Sequence, residues 1–192
     1  MKKKASLLLG LLLATTILAA GCGAAGTTQG DKGDQGTAAG TARTGVAITT
    51  DISSSKDATA AEAGLAQSDV TVAAVTVDAD GKITACAIDS VQTKVMFDGT
   101  GKLATDPTAT FPTKQELGDD YGMKKVSSIQ KEWNEQVNAF ADYCIGKTAK
   151  EVTGIAVTQE GKAAEQDLAA SCTIHILSLQ ALVAQAAENA VK

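Results

Sequence analysis

Apolar positions recur at two different spacings along this chain, and the change from one to the other divides it. Val46-Ala47-Ile48-Thr49-Thr50-Asp51-Ile52 alternates loosely between apolar and polar, and residues 70–77 and 83–88 are β-branched runs. Such runs fit the pleated, half-buried surface of a strand. Asp78-Ala79-Asp80-Gly81-Lys82 lies between the last two and predicts a hairpin turn. Gly101-Lys102 and Gly161-Lys162 share that turn chemistry, but their flanks do not match, so they are not repeats.

Beyond residue 112 the spacing becomes helical. Thr113-Lys114-Gln115-Glu116 and Thr148-Ala149-Lys150-Glu151 have the form of capping boxes, each opening a short helix. Ser127-Ser128-Ile129-Gln130 predicts the start of a longer helix with the stripe Ile129, Trp133, Val137, Phe140 and Cys144, stopped by Gly146. A last helix from about Ser178 carries Leu179, Leu182, Val183, Ala186 and Ala190 on one side. Strands followed by helices predict an α+β domain, an antiparallel sheet with flanking helices, over residues 44–192.

The N-terminus follows other rules. Lys2, Lys3 and Lys4 precede an apolar run over residues 7–20 broken by Gly10, Thr15 and Thr16. That run is too short for a spanning helix, which needs about 20 apolar residues, and it reads as an export signal over residues 1–21. It closes on Ala19-Ala20-Gly21-Cys22, which resembles a bacterial lipobox, with the usual large aliphatic one place early at Leu18. The resemblance implies that Cys22 is acylated, by palmitate or a similar chain, and becomes the new N-terminus of a protein anchored on the extracytoplasmic face of the cell membrane. The plainer reading is secretory cleavage near Ala20 with Cys22 a stray thiol. Residues 23–43 hold no apolar side chain larger than alanine, so after Cys22 the segment 22–43 is expected to be a disordered linker. As a flexible coil it spans roughly 25 Å.

Charge and cysteine content exclude several classes. Loss of the three signal lysines moves the formal charge from -5 to -8, which leaves no electrostatic footprint for nucleic acid. Cys86, Cys144 and Cys172 remain, an odd number without CxxC or CxxH spacing, so neither a disulfide framework nor a zinc or haem site is expected. With His175 the only histidine, a His-based metal site or a Ser-His-Asp hydrolase is hard to assemble. Gly99-Thr100-Gly101-Lys102 is not a phosphate loop, since Met96 and Leu103 stand where glycine and a hydroxyl belong. Asp78-Ala79-Asp80-Gly81 is not a calcium loop, because its register puts Thr76 first and Ala87 at the bidentate position. All six aromatics, Phe97, Phe111, Tyr121, Trp133, Phe140 and Tyr143, fall between positions 97 and 143. Either they form one local core or they wall one flat pocket.

Asp167-Leu168-Ala169-Ala170-Ser171-Cys172-Thr173 precedes the last helix. It resembles the flavin-attachment motif of the FMN-binding domain family, which includes the flavin subunits of sodium-pumping quinone reductases and many membrane-tethered lipoproteins. That pattern is Asp, two variable positions, Ser or Thr, Gly or Ser, Ala, then a Thr that carries FMN through a phosphoester. Asp167, Ser171 and Thr173 match, whereas Ala170 replaces the first hydroxyl and Cys172 the alanine. Placement before a helix makes physical sense, because a phosphate there meets unpaired N–H groups and the positive dipole end. Read from the residues alone, Thr173 is equally a β-branched position in a short strand over residues 172–176, and His175 is a half-buried satisfied histidine or a flavin contact.

The resemblance implies an extracytoplasmic, lipid-anchored flavoprotein that binds FMN, covalently at Thr173, and takes part in electron transfer. Its implied partners are the membrane, a flavin transferase and a quinone-linked electron donor. The alternative is a non-redox cell-envelope lipoprotein that keeps the fold as a ligand-binding or interaction module.

Overall fold

The structure is a computed structural model and describes residues 42–192. The signal segment, Cys22 and nearly all of the linker lie outside the described residues. Strands β1 (Arg43–Asp51), β2 (Gly64–Val77) and β3 (Ile83–Phe97) form one antiparallel sheet in the order β1-β2-β3. The described helices are α1 (Lys114–Leu117), α2 (Trp133–Cys144), α3 (Ala149–Thr153), α4 (Gln166–Ala169) and α5 (Leu177–Val191), with tight helical turns at Gly118–Tyr121 and Met123–Lys125. This is an α+β domain with helices flanking an antiparallel sheet. Arg43, assigned by composition to the linker, is the first residue of β1 and faces Val77.

Alternation decides the two faces of the sheet. Ala47, Ala73, Val75, Val77, Ile83 and Ile88 are buried on the inner face, whereas Val46 and Ile48 point outward and stay exposed. α5 packs on β1 and β2 through Leu179, Leu182, Val183, Ala186, Ala187 and Ala190, and α2 lies against β3 with Val137, Phe140, Ala141 and Cys144 buried. Small residues meet where α5 crosses β1. A Cβ on Gly45 would stand 2.1 Å from the Ala186 carbonyl oxygen, so the glycine permits this closeness.

The three Gly-Lys turns have one hydrogen-bond pattern. Asp78 N–H donates to Lys82 O, Gly81 N–H donates to Asp78 O, and Gly81 takes a φ of 76°. Asp98 to Lys102 and Thr158 to Lys162 repeat it, and in each the first side chain accepts from the lysine N–H. The boxes at Thr113 and Thr148 form as expected, each threonine hydroxyl accepting from the glutamate N–H and each glutamate accepting from the threonine N–H.

Two expectations need correction. β2 and β3 run well beyond their β-branched cores, to Gly64 and Phe97, because ladder pairing continues through polar positions such as Gln67, Asp69 and Gln92. α2 does not begin at Ser127. Gln130 takes a φ of 52°, which breaks any helix there, and α2 starts at Trp133, with Glu132 N–H donating to the Glu135 carboxylate at 2.8 Å.

Candidate functional site

The inner sheet face turns polar at Thr71 and Ser90, whose hydroxyls lie 3.2 Å apart, and there a cavity of about 580 Å³ opens. Cavities of this size hold small organic ligands. One wall is aromatic. Tyr121 and Trp133 both line it, and Lys114 Nζ sits 5.0 Å from the centroid of each ring, a double cation–π contact. Lys114 is placed by the threonine cap of α1 and by its neighbour Gln115, whose Nε2 donates to Ile88 O at 3.0 Å and Asn138 Oδ1 at 2.8 Å.

The rest of the lining includes Thr173, His175 and the first turn of α5, with Ser178 and Leu179. The turn from Thr158 to Lys162 fixes that start, with Ile176 N–H donating to Gly161 O at 2.8 Å and Lys162 bridging His175. No side chain caps α5, but Gly161 O also accepts from Leu177 N–H at 3.3 Å. The N–H groups of Ser178 and Leu179 and the helix dipole are what this end of the cavity offers an anion. Lys162 also lines the cavity, while its ammonium lies 2.9 Å from the exposed carboxylate of Glu160. An exposed pair of that kind holds a side chain only weakly. Among the described lining residues there are two lysines, a histidine and several hydroxyls, but no carboxylate. In a chain of net negative charge the hollow thus brings together two lysines, one of them paired with Glu160, and two aromatic rings.

Of the residues singled out from the sequence, Thr173 and His175 reach the cavity. Thr173 is half-buried and also borders a neighbouring hollow of about 490 Å³. Asp167 is exposed in the first turn of α4, and Ser171 directs its hydroxyl to Leu168 O at 3.2 Å, so neither lines the cavity. Cys172, standing in for the motif's alanine, is fully buried in the core and behaves as a small apolar residue, its thiol pushed up to about 11 by burial. Residues 172–176 are not a strand. They make a single bridge, His175 to Lys162, before turning into α5, and His175 is exposed.

The aromatics form neither one core nor one pocket. Phe140 is fully buried, Tyr121 and Trp133 wall the cavity, and Phe97 lines a separate hollow near the end of β3. Tyr143 donates to Glu165 while Lys147 Nζ sits 3.9 Å over its ring. Residues that sequence reasoning missed are Lys114, whose position between two rings is a tertiary fact, and Gln136. The latter left a signal, being a polar side chain on the buried face of α2 beside Trp133, Val137 and Phe140.

No protein-family profile and no solved structure matches the chain. A chlorophenol reductase of Desulfitobacterium hafniense is 50% identical over 42 residues, which is 22% of this chain and 13% of that protein. The similarity thus covers a minor part of both.

Proposed function

We propose that this chain is an extracytoplasmic, lipid-anchored flavoprotein whose domain holds FMN in the cavity between Tyr121, Trp133 and the start of α5. The observation that carries the reading is the position of Thr173. A hydroxyl picked out by its resemblance to an attachment motif lines a cavity with aromatic and cationic side chains, beside a helix start that no side chain caps. The residues present suit the group: Tyr121 and the exposed edge of the otherwise buried Trp133 border the cavity with Lys114 over both rings, and Lys114, Lys162 and the α5 N-terminus offer positive charge to a phosphate. Gln136 and Ser127, hydrogen-bonded to each other, also line the cavity. When bound, FMN supplies the electron chemistry and the protein supplies orientation and electrostatics. The proposed place in the cell is the membrane surface, with a quinone-linked donor and an acceptor outside.

Attachment would require a transferase and an activated flavin nucleotide. Thr173 Oγ1 would carry the flavin phosphate: its bond to phosphorus would replace the phosphorus bond to the donor's leaving phosphate, and the hydroxyl proton, turned away from its contact with Gln136, would pass to a base of the transferase. A second reading, a ligand-binding lipoprotein without redox chemistry, draws on the fact that Asp167 and Ser171 do not reach the cavity.

One experiment separates them. Co-expressed with a flavin transferase in an exporting host, wild type should gain the mass of FMN less water, Thr173→Ala should not, and Thr173→Ser should keep part of the loading. An unmodified wild type that also shows no spectral shift with free FMN would leave the second reading in place.

A further inference from the structure

We propose that Gln136 is the positioning residue of this cavity. A single buried amide fixes which side of Thr173 a ligand meets and fastens the strap over residues 122–131 along the rim. The idea deepens the flavin reading and rests on it only for the ligand's identity.

Gln136 is fully buried, where an amide is tolerated only if its polar atoms are satisfied. Its Oε1 accepts from Thr173 N–H at 2.8 Å and from Thr173 Oγ1–H at 3.0 Å. Its Nε2 donates to Lys131 O at 3.0 Å and Ser127 Oγ at 3.2 Å, and touches Met123 Sδ at 3.5 Å. The two ends of the amide cannot be exchanged, because a backbone carbonyl only accepts and a backbone N–H only donates. Thr173 must then be the donor to Oε1. Its hydrogen is held on Gln136, and the lone pairs of Oγ1 are left for the cavity. A ligand group beside Oγ1 therefore meets electron pairs, which suits a hydrogen-bond donor or an electron-poor atom.

The same amide holds the strap. Met123, Val126, Ser127 and Ser128 all line the cavity, and Val126 is 86% exposed at its rim. The strap's first residues hang on Glu132, whose buried carboxylate accepts from Met123 N–H at 2.7 Å and Lys124 N–H at 3.0 Å. Its later residues, Ser127 and Lys131, reach the domain through Gln136 Nε2. Thr173, 37 positions further on, is thereby tied to the strap through one side chain.

Amide exchange of the intact chain without ligand tests this, so its outcome is independent of whether flavin binds. Gln136→Leu should speed exchange at least about tenfold over residues 122–131 and at Thr173, the effect of losing the pair of hydrogen bonds that Gln136 makes to each, with β2 and α5 unchanged. The Thr173 amide proton resonance should also move upfield, a local signature that general destabilisation would not produce. An unchanged strap, or an equal rise across β2 and α5, overturns the proposal. Should Gln136→Leu fail to fold, Ser127→Ala removes one strap partner alone. It should loosen residues 126–128 and leave the Thr173 amide protected, and an unaltered strap in that variant refutes the fastening.

Discussion

Replacing Gly45 with alanine tests how closely α5 is seated on the sheet. The added Cβ would stand 2.1 Å from Ala186 O and 2.4 Å from Ala190 N, whereas ordinary contact begins at 3.4 Å. Both obstacles are main-chain atoms, so no side-chain rotation relieves them and the helix must move by more than an ångström. Overpacking of this kind costs about 1–3 kcal/mol, here in the upper part of that range because backbone must move, and restricting the unfolded chain returns about 0.4–1 kcal/mol, leaving a net loss of about 1–2 kcal/mol. For a domain of this size that lowers Tm by about 2–8 °C. Thermal and urea unfolding of wild type, Gly45→Ala and Gly45→Ala with Ala190→Gly would measure it. The second change should not restore stability, because the clash is with backbone. A Gly45→Ala protein as stable as wild type, or recovery in the double variant, would refute the reasoning.

Acid should destabilise the domain through exposed carboxylates that accept hydrogen bonds. Asp98 is held below its usual 3.8 by the Thr100 hydroxyl and by the Lys102 and Thr100 N–H groups, and Glu151 below its usual 4.5 by its bonds to Thr148. Groups with depressed folded values give stability that is present above the unfolded value and lost as pH falls through the folded one. Tm should therefore drop as pH goes below about 4, less steeply in Asp98→Asn, and a Tm indifferent to pH in that window would contradict this. Burial pushes the Cys144 thiol up to about 12 and Cys86 and Cys172 up to about 11, so alkylation at pH 8 should be slow in the native protein and complete for all three in denaturant. Fast native labelling of any of them would be inconsistent with those environments. Labelling with a fatty-acid analogue should mark wild type and not Cys22→Ala, and equal labelling of both would end the lipoprotein proposal.

What the sequence revealed was what local chemistry controls. The hairpin at Asp78, the Gly-Lys turns and the boxes at Thr113 and Thr148 depend on neighbours a few positions away, and they form as read. The start of α2 was misread because Ser127 resembles a cap in sequence, while in the fold its hydroxyl accepts from Gln136, nine residues on. The distal halves of β2 and β3 escaped notice because polar side chains such as Gln67 and Asp69 hide a ladder that backbone bonding sustains. At the site, the motif led to Thr173, but the aromatic wall with Lys114 comes from segments brought together only by the sheet and α2. Aromatic clustering in sequence did not foretell its division between core, cavity and surface.

The shared Gly-Lys turn also marks where the chain tolerates foreign sequence. At Gly81 and Gly101 nothing stands within 4 Å of an added Cβ, so both tips are open to grafted epitopes or to relocated chain ends. At Gly161 an added Cβ would stand 3.3 Å from His175 Nδ1 and 3.5 Å from Leu177 Cβ, and Gly161 O accepts from the Ile176 N–H. One piece of local chemistry thus serves twice as a free loop and once as a buttress, and an insertion that passes unnoticed at the first two positions would prise the α5 start away from its support at the third.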